Sequence, residues 1–529
     1  MRPRLTPPNV AVVDAAGARA ADAAAIAAGV PSRALMQRAG AAAAGEIVRR
    51  YGRLVGGGVA VHAGPGNNGG DAWVVAQALA AWGVPVTARQ WLADAPRTPD
   101  ARFEFDRAHA RGAPPAPTGR ERLVVDGVLG TGARPRDDAA LGAAVDAMAA
   151  ARDAGAVVVA LDVPTGLDAA TGECVGACVP ADLTLAFGTL KRGLLVARGL
   201  AGAIAVLDIG LGAADPLRVD PSAASLVAGP PSSRLRIPAD AHKGTRGKVV
   251  VLGGAAGMAG AARLACDAAL RSGAGMVRAV GAPESVAVLQ TGLPAAMAAA
   301  WPADAELLRR DVVDWADVVL LGPGLGRGAD AARLVDETLA AWRGPVVLDA
   351  DALNHFAGRA DALAAALAGR PALLTPHPVE MARLCGLAVS DVLARRFDLA
   401  AEFGRRVGAA VLLKGVPTVV SDGARTLVCP AGTPALATAG SGDVLGGVAA
   451  ALLAGEAAGA EGLTRGALDA GAAAAWAHGR AGELATARRG GVRGTTLDDV
   501  LAALQEVWAE PTPPRPPYPV LAELPAVPG

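Results

Sequence analysis

The chain has 529 residues, and its 50 Lys and Arg balance its 50 Asp and Glu. That length implies two or more domains, and zero net charge removes the electrostatic case for nucleic acid or an anionic membrane as partner. The five cysteines (Cys174, Cys178, Cys266, Cys385, Cys429) are scattered and odd in number, so a reducing, cytoplasmic location without a disulfide framework is expected, and Cys174 with Cys178 lacks the second pair of a zinc site. Met1 to Gly17 has no apolar core of signal-peptide length, and the uncharged run from Val286 to Ala303 is broken by Pro294 and Pro302, which speaks against a membrane span.

In chain order, Ala15 to Ala28 is helix-prone, and Pro31-Ser32 opens a second helix through Leu35-Met36-Gln37-Arg38-Ala39-Gly40. A strand, Gly58 to Ala63, stops at the loop Gly64-Pro65-Gly66-Asn67-Asn68-Gly69-Gly70-Asp71, and a helix with Val75, Leu79 and Trp82 on one face follows. Strand, Gly/Asn loop, helix is a geometry that cradles a nucleotide phosphate or ribose. The same residues would also serve a tight turn. Val84 to Arg89 continues the alternation, and the Pro- and Arg-rich stretch Ala95 to Gly119 is expected to be a surface excursion. Two apolar strands then end in carboxylates: Leu123 to Asp126, leading into Gly127-Val128-Leu129-Gly130-Thr131-Gly132-Ala133-Arg134-Pro135-Arg136, and Val157 to Leu161, leading into Asp162 and Pro164-Thr165-Gly166-Leu167-Asp168. Each Asp alone could be a cap. Together, polar groups at the carboxyl ends of several strands mark the crevice where doubly wound sheets bind ligands. Leu183 to Phe187 and Ile204 to Leu207 supply the last strands.

These residues resemble the NAD(P)H-hydrate epimerase family, over roughly Asp14 to Gly212, through GPGNNGGDA, LMQRAG, VDGVLGTG and LDVPTGLD. The resemblance implies a Rossmann-like doubly wound sheet in which Asn67, Asn68, Gly69, Gly70, Asp71 and the segment Gly130 to Arg136 hold a hydrated dinucleotide. It implies that Asn68, Asp126 and Thr165 coordinate potassium, and that Asp162 is the acid/base beside the nicotinamide. Thr165 stands for a usual Ser, Ala72 for a usual Gly and Gln37 for a usual Glu.

Ala213 to Asp240, rich in Pro, Ser and Ala, reads as the joint between domains. Beyond it, His242-Lys243-Gly244 leads to a strand at Val249 to Leu252 and a helix at Ala261 to Leu270. Further strands run into Gly322-Pro323-Gly324-Leu325-Gly326-Arg327, Asp349-Ala350-Asp351, Thr375-Pro376-His377-Pro378-Val379-Glu380 and Lys414-Gly415-Val416-Pro417-Thr418. The stretch Ala437-Thr438-Ala439-Gly440-Ser441-Gly442-Asp443 opens a helix of small and apolar residues, Val444 to Leu453. Unpaired N–H groups at a helix start attract a phosphate. A carboxylate there repels a resting one, so Asp443 suits a proton acceptor, although a plain helix cap also fits.

The order HKGTRGKVVVLGG, GPGLGRG, LDADALN, TPHPVE, LLKGVPT, ATAGSGD resembles the ribokinase-like fold and, within it, the NAD(P)H-hydrate dehydratases, across roughly His242 to Leu504. The resemblance implies an α/β/α sandwich in which Lys414, Gly415, Val416, Pro417, Thr418 and Gly442 bind ADP accompanied by Mg2+. Ala261, Gly324, His377 and Asp443 would contact the hydrated cofactor. Val379 stands for a usual Gly, which would restrict φ just after His377. The expected layout is an epimerase domain at 1–215, a linker at 216–238, an ADP-dependent dehydratase at 239–510 and a dispensable proline-rich tail at 511–529, in a homo-oligomer acting on hydrated NADH or NADPH. The competing reading is a ribokinase-like kinase of a small alcohol fused to a nucleotide-sensing domain.

Overall fold

The computed structural model describes residues 10–132, 139–220, 222–227, 229, 237, 239–457, 463–510 and 516–527. The chain divides into two compact units, one formed by 1–228 with 514–527 and the other by 229–513 with the last two residues.

The first unit is built on a sheet whose spatial order is Val520–Leu524, Ala203–Leu207, Leu183–Phe187, Val157–Leu161, Leu123–Gly127, Val59–Ala63, Val86–Gln90. All neighbours are parallel except the first pair. The four strands beginning at Val59, Leu123, Val157 and Leu183 are buried on both faces, which is why they read as near-continuous apolar runs. Chain direction across the sheet reverses between Val59–Ala63 and Leu123–Gly127, and the loops leaving those two strands diverge there into a crevice. The loop after Val59–Ala63 is shorter than expected. The helix starts at Asn67 and runs to Ala81, so Asn67 to Asp71 form its first turn. Two glycines allow this tight packing: a Cβ on Gly64 would lie 1.7 Å from Val128 O, and one on Gly69 would lie 1.9 Å from Gly64 O.

Several expectations are corrected here. The stretch 95–119 contains a helix, Pro99–His109, with Ala101, Glu104 and Ala108 buried. Glu104 accepts from Gln37 Nε2 at 2.7 Å and Gln77 Nε2 at 3.1 Å. A neutral Gln37 therefore suits a buried carboxylate that a second Glu would repel. Residues 216–227, read as linker, belong largely to the first unit: Asp215 caps the Pro216–Val219 helix, and Val12 N donates to Ala224 O at 2.8 Å. Cys174 and Cys178 form a disulfide. The chain from Gly166 folds back on itself there, with Leu167 bridged to Cys174 and Val175 N donating to Gly166 O at 2.7 Å, which brings the two thiols together. The tail does not hang free. Val520, Ala522 and Leu524 are buried, and the strand pairs antiparallel with Ala203–Leu207.

The second unit's sheet runs Met297–Ala300, Met276–Gly281, Lys248–Leu252, Val318–Leu321, Val346–Leu348, Ala372–Leu374, Ala410–Leu413, all parallel, then Thr418–Ser421 and Thr426–Cys429 antiparallel. The Ser441–Ala457 helix packs against Ala259–Arg271 and Leu463–Arg489. Close approach is possible because Gly447 faces Ala265 O, which a Cβ would meet at 2.1 Å. Val379 lies inside the Pro378–Cys385 helix, where its backbone is ordinary for any residue, so the expected restriction does not arise.

Candidate active sites

In the first unit a cavity of about 530 Å³ opens at the reversal point. Asn67, Asn68, Asp71, Gly130, Thr131, Gly132 and Asp162 all line it, together with Asp22 and Lys191. Ala133, Arg134, Pro135 and Arg136 lie outside the described residues. Gly70 packs instead against Met36 and Ala101, where a Cβ would meet Met36 Cε at 2.6 Å.

Asp162 follows its strand with φ of 62°, a left-handed conformation that costs a residue bearing a side chain about 1 kcal/mol or more. It is held there from several sides. Its N–H donates to Leu185 O at 2.8 Å, and its Oδ1 accepts from Phe187 N at 3.2 Å and from Lys191 Nζ. The Lys191 ammonium is buried and also donates to Phe187 O at 3.0 Å and Thr189 O at 3.2 Å. Sequence reasoning missed Lys191. A Lys ahead of Arg192 and Gly193 looks like surface, and its only signal was the buried strand run just before it. Burial pushes the Asp71 carboxyl well above the ordinary carboxylate range, with Asp162 and Asp22 adding to the push and Lys191 opposing it.

Asn68, which lines this cavity, lies near Asp126 and Thr165, linked to them through Leu129. Thr165 Oγ1 donates to Asp126 Oδ1 at 2.5 Å, Thr165 N to Asp126 Oδ2 at 2.8 Å, and Asn68 Nδ2 to Leu129 O at 2.9 Å. Burial raises the pKa of Asp126, and the hydrogen bonds from Thr165 lower it. Asn68 Oδ1 is buried without a protein partner. An orphaned amide oxygen beside a hydroxyl, a carboxylate and a main-chain carbonyl is a hard-oxygen donor set that fits a monovalent cation.

In the second unit, Asp443 occupies the first turn of the Ser441–Ala457 helix, entered through Gly440 at φ of 90°. Burial and then the Asp349 charge push its pKa to about 7, against the pull of Lys414. Lys414 Nζ donates to Asp349 Oδ1 at 2.9 Å and stands 3.9 Å from Glu380 Oε2. Burial disfavours this ammonium, but Asp349, Glu380 and Asp443 together hold its pKa above the usual value. Thr375 Oγ1 also donates to Asp349 Oδ1, at 2.8 Å. Gly442 faces the pair: a Cβ there would meet Lys414 Nζ at 3.2 Å. Gly324 and Ala261 are neighbours, with Ala261 Cβ 3.0 Å from the position of a Gly324 Cβ. His377 caps the Pro378–Cys385 helix: its Nδ1 accepts from Val379 N at 3.1 Å, while Glu380 Oε2 accepts from His377 N at 2.9 Å. Its Nε2 faces Glu380 Oε1 at 3.3 Å. Gly415 to Pro417 form the turn between two strands, with Val416 exposed and Thr418 Oγ1 donating to Gly415 O at 3.1 Å. Asp349 and Glu380 are further site residues that sequence reasoning did not assign. The strand-end position of Asp349 was visible, but its pairing with a Lys 65 residues later was not.

Residues 249–506 match the family model described as NAD(P)H-hydrate dehydratase, and 32–193 match the YjeF-related protein N-terminus. The chain is 36% identical over 508 residues to the bifunctional NAD(P)H-hydrate repair enzyme Nnr of Moorella thermoacetica, covering 90% of this chain and 92% of that one. It is 35% identical over 468 residues to the enzyme of that name from Escherichia coli, covering 84% of each. A solved structure, the ADP/ATP-dependent NAD(P)H-hydrate dehydratase from Bacillus subtilis co-crystallized with ATP/Mg2+, is 27% identical, covers 53% of this chain and 94% of its own, and superposes with a TM-score of 0.44. Matched along both of its units, the chain belongs to the family of bifunctional NAD(P)H-hydrate repair enzymes.

Proposed function

We propose that the first unit interconverts the R and S epimers of hydrated NADH or NADPH, and that the second dehydrates the S epimer at the expense of ADP, giving AMP and phosphate. The observation that carries this reading is Asp443, a carboxylate with a pKa pushed to about 7, at a helix start beside the Lys414–Asp349 pair. Such a group is poised to accept a proton near neutral pH.

The hydrated nicotinamide bears a hydroxyl on carbon 6, a poor leaving group. Asp443 takes the hydroxyl proton, and the oxygen attacks the terminal phosphoryl of ADP. N–H groups from Gly440 to Asp443, at the positive end of the helix dipole, face the developing charge. Lys414 and the turn Gly415, Val416, Pro417 and Thr418, with Gly442, hold the nucleotide, while Ala261, Gly324 and His377 contact the hydrate. Expulsion of phosphate, driven by the ring nitrogen, with loss of the carbon 5 proton restores the dihydropyridine. Mg2+ would arrive with the nucleotide and would supply charge neutralisation at its phosphates.

In the first unit, Asn67 to Asp71 and Gly130 to Gly132 hold the hydrate and Asp162 moves its proton. Asn68, Asp126 and Thr165 would hold potassium, which supplies a fixed positive charge beneath the loops. The epimerase would comprise 1–228 with 514–527, and the dehydratase 229–513.

The test is full-length Asp443→Asn given the S hydrate and ADP. Release of inorganic phosphate and regain of reduced nicotinamide should both fall by about a thousandfold, while interconversion of the epimers continues. Clearance of the hydrate at the wild-type rate would refute the role given to Asp443.

A further inference from the structure

The epimerase cavity holds more acid than its reading uses. Asp22, Asp71 and Asp162, from three separate parts of the first unit, face one buried ammonium, Lys191, across one cavity. Arg19, Arg97 and Asp100 also line it, and Asp100 is paired with Arg33 at 3.2 Å. Asp71 is buried, Asp162 partly buried and Asp22 exposed, and carboxylates grouped around one ammonium cannot all be ionised cheaply, because like charges at short range disfavour one another's ionised forms. The geometry decides which member keeps its charge. Asp162 alone takes the Lys191 hydrogen bond and a main-chain N–H besides. Asp71, in the first turn of its helix and buried, lines the same cavity and takes neither of those two donors.

We propose that Asp71 is a second catalytic residue of the epimerase, the acid that works against Asp162 as base, and that Lys191 is the positioning residue that fixes which carboxyl is charged. This rests on the assignment of epimerisation to the first unit. The substrate is a carbinolamine, with the hydroxyl on the carbon bonded to the ring nitrogen. Asp162 takes the hydroxyl proton, the carbon–oxygen bond becomes a carbonyl, and the carbon 6–nitrogen bond breaks with its electron pair retained by nitrogen. Asp71 donates its proton to that nitrogen. After the aldehyde turns its other face, nitrogen adds back, its proton returns to Asp71, and the alkoxide recovers the proton on Asp162. Protons and electrons balance without an external reactant. Burial, with Asp162 and Asp22 beside it, shifts the Asp71 carboxyl upward, the direction an acid in this role requires.

The experiment uses full-length protein without ADP, a single purified epimer, and chromatographic separation of R from S over a pH series. Asp71→Asn should lower kcat by about a hundredfold or more, leave KM within about threefold, and remove the alkaline limb of the profile. Asp71→Glu should recover part of kcat and the limb. Lys191→Met should move the acid limb to higher pH, and Lys191→Arg should restore it. Equilibrium binding of the hydrate to Asp71→Asn separates lost chemistry from lost folding. Full kcat in Asp71→Asn, or a loss confined to KM, or an alkaline limb that persists, would overturn the proposal. Asp162→Asn retaining activity would instead remove the assignment of epimerisation chemistry to this site.

Discussion

At the scale of single residues, the second site depends on how buried charges are partnered. Asp443 is pushed from an ordinary carboxylate value to about 7, first by burial and then by Asp349. In the proposed role of base it would work only when ionised, so dehydration should rise with pH through a midpoint near 7, read from kcat against pH. The same shift has a stability sign. A folded-state pKa above the unfolded value means the ionised carboxylate is costly in the native state. That cost is absent below pH about 4 and full above about 7. Asp443→Asn should therefore melt at a higher temperature than wild type at pH 8, with the difference vanishing near pH 4 in thermal scans. Lys414 makes the opposite case. Removing it as Lys414→Met leaves Asp349 and Glu380 buried without their cation, which should cost about 3 kcal/mol in denaturant unfolding as well as nucleotide affinity. Much of this was legible in sequence, because Asp443, Lys414 and Asp162 each end a strand or open a helix. Lys191 was not, since the apolar strand just before it does not by itself distinguish a buried Lys from a snorkelling one.

At the scale of elements, strands buried on both faces announced themselves as apolar runs, and the order of the motifs followed the sheet. What stayed hidden were elements whose composition argued against them. The Pro99–His109 helix lies in a Pro- and Arg-rich stretch, and its burial depends on Gln37 and Gln77 meeting Glu104 from other helices. The Asn67 helix begins with residues that locally favour turns. The C-terminal strand follows a proline-rich segment and is only five residues long. It pairs with Ala203–Leu207, and Asp208 N donates to Pro519 O at 2.8 Å just before Ile209 and Leu211 reach the epimerase cavity. Glu523 also bonds Arg49, at 3.1 Å, and Arg50. Deleting 516–529 should uncover that edge and the apolar surface of Val520, Ala522 and Leu524, at a cost of about 3–5 kcal/mol. The first unit should then unfold at lower denaturant and epimerisation weaken, while dehydration of the S epimer persists. Unchanged unfolding of the shortened chain would show the strand to be inessential.

At the scale of the whole molecule, one chain carries two complementary chemistries. In the proposed reading, dehydration acts on one epimer and the epimerase supplies it from the other. If the intermediate is a freely released small molecule, the two halves need not act on the same copy. A mixture of Asp162→Asn and Asp443→Asn chains should then clear both epimers, at a rate that rises with the concentration of each. The most direct measurement is the final absorbance of reduced nicotinamide from a mixture of R and S hydrates incubated with excess ADP. Wild type should recover the whole of it. Asp162→Asn should halt at the share initially present as S, and Asp443→Asn should recover none. Full recovery by either single variant at the wild-type rate would contradict the division of labour between the two sites.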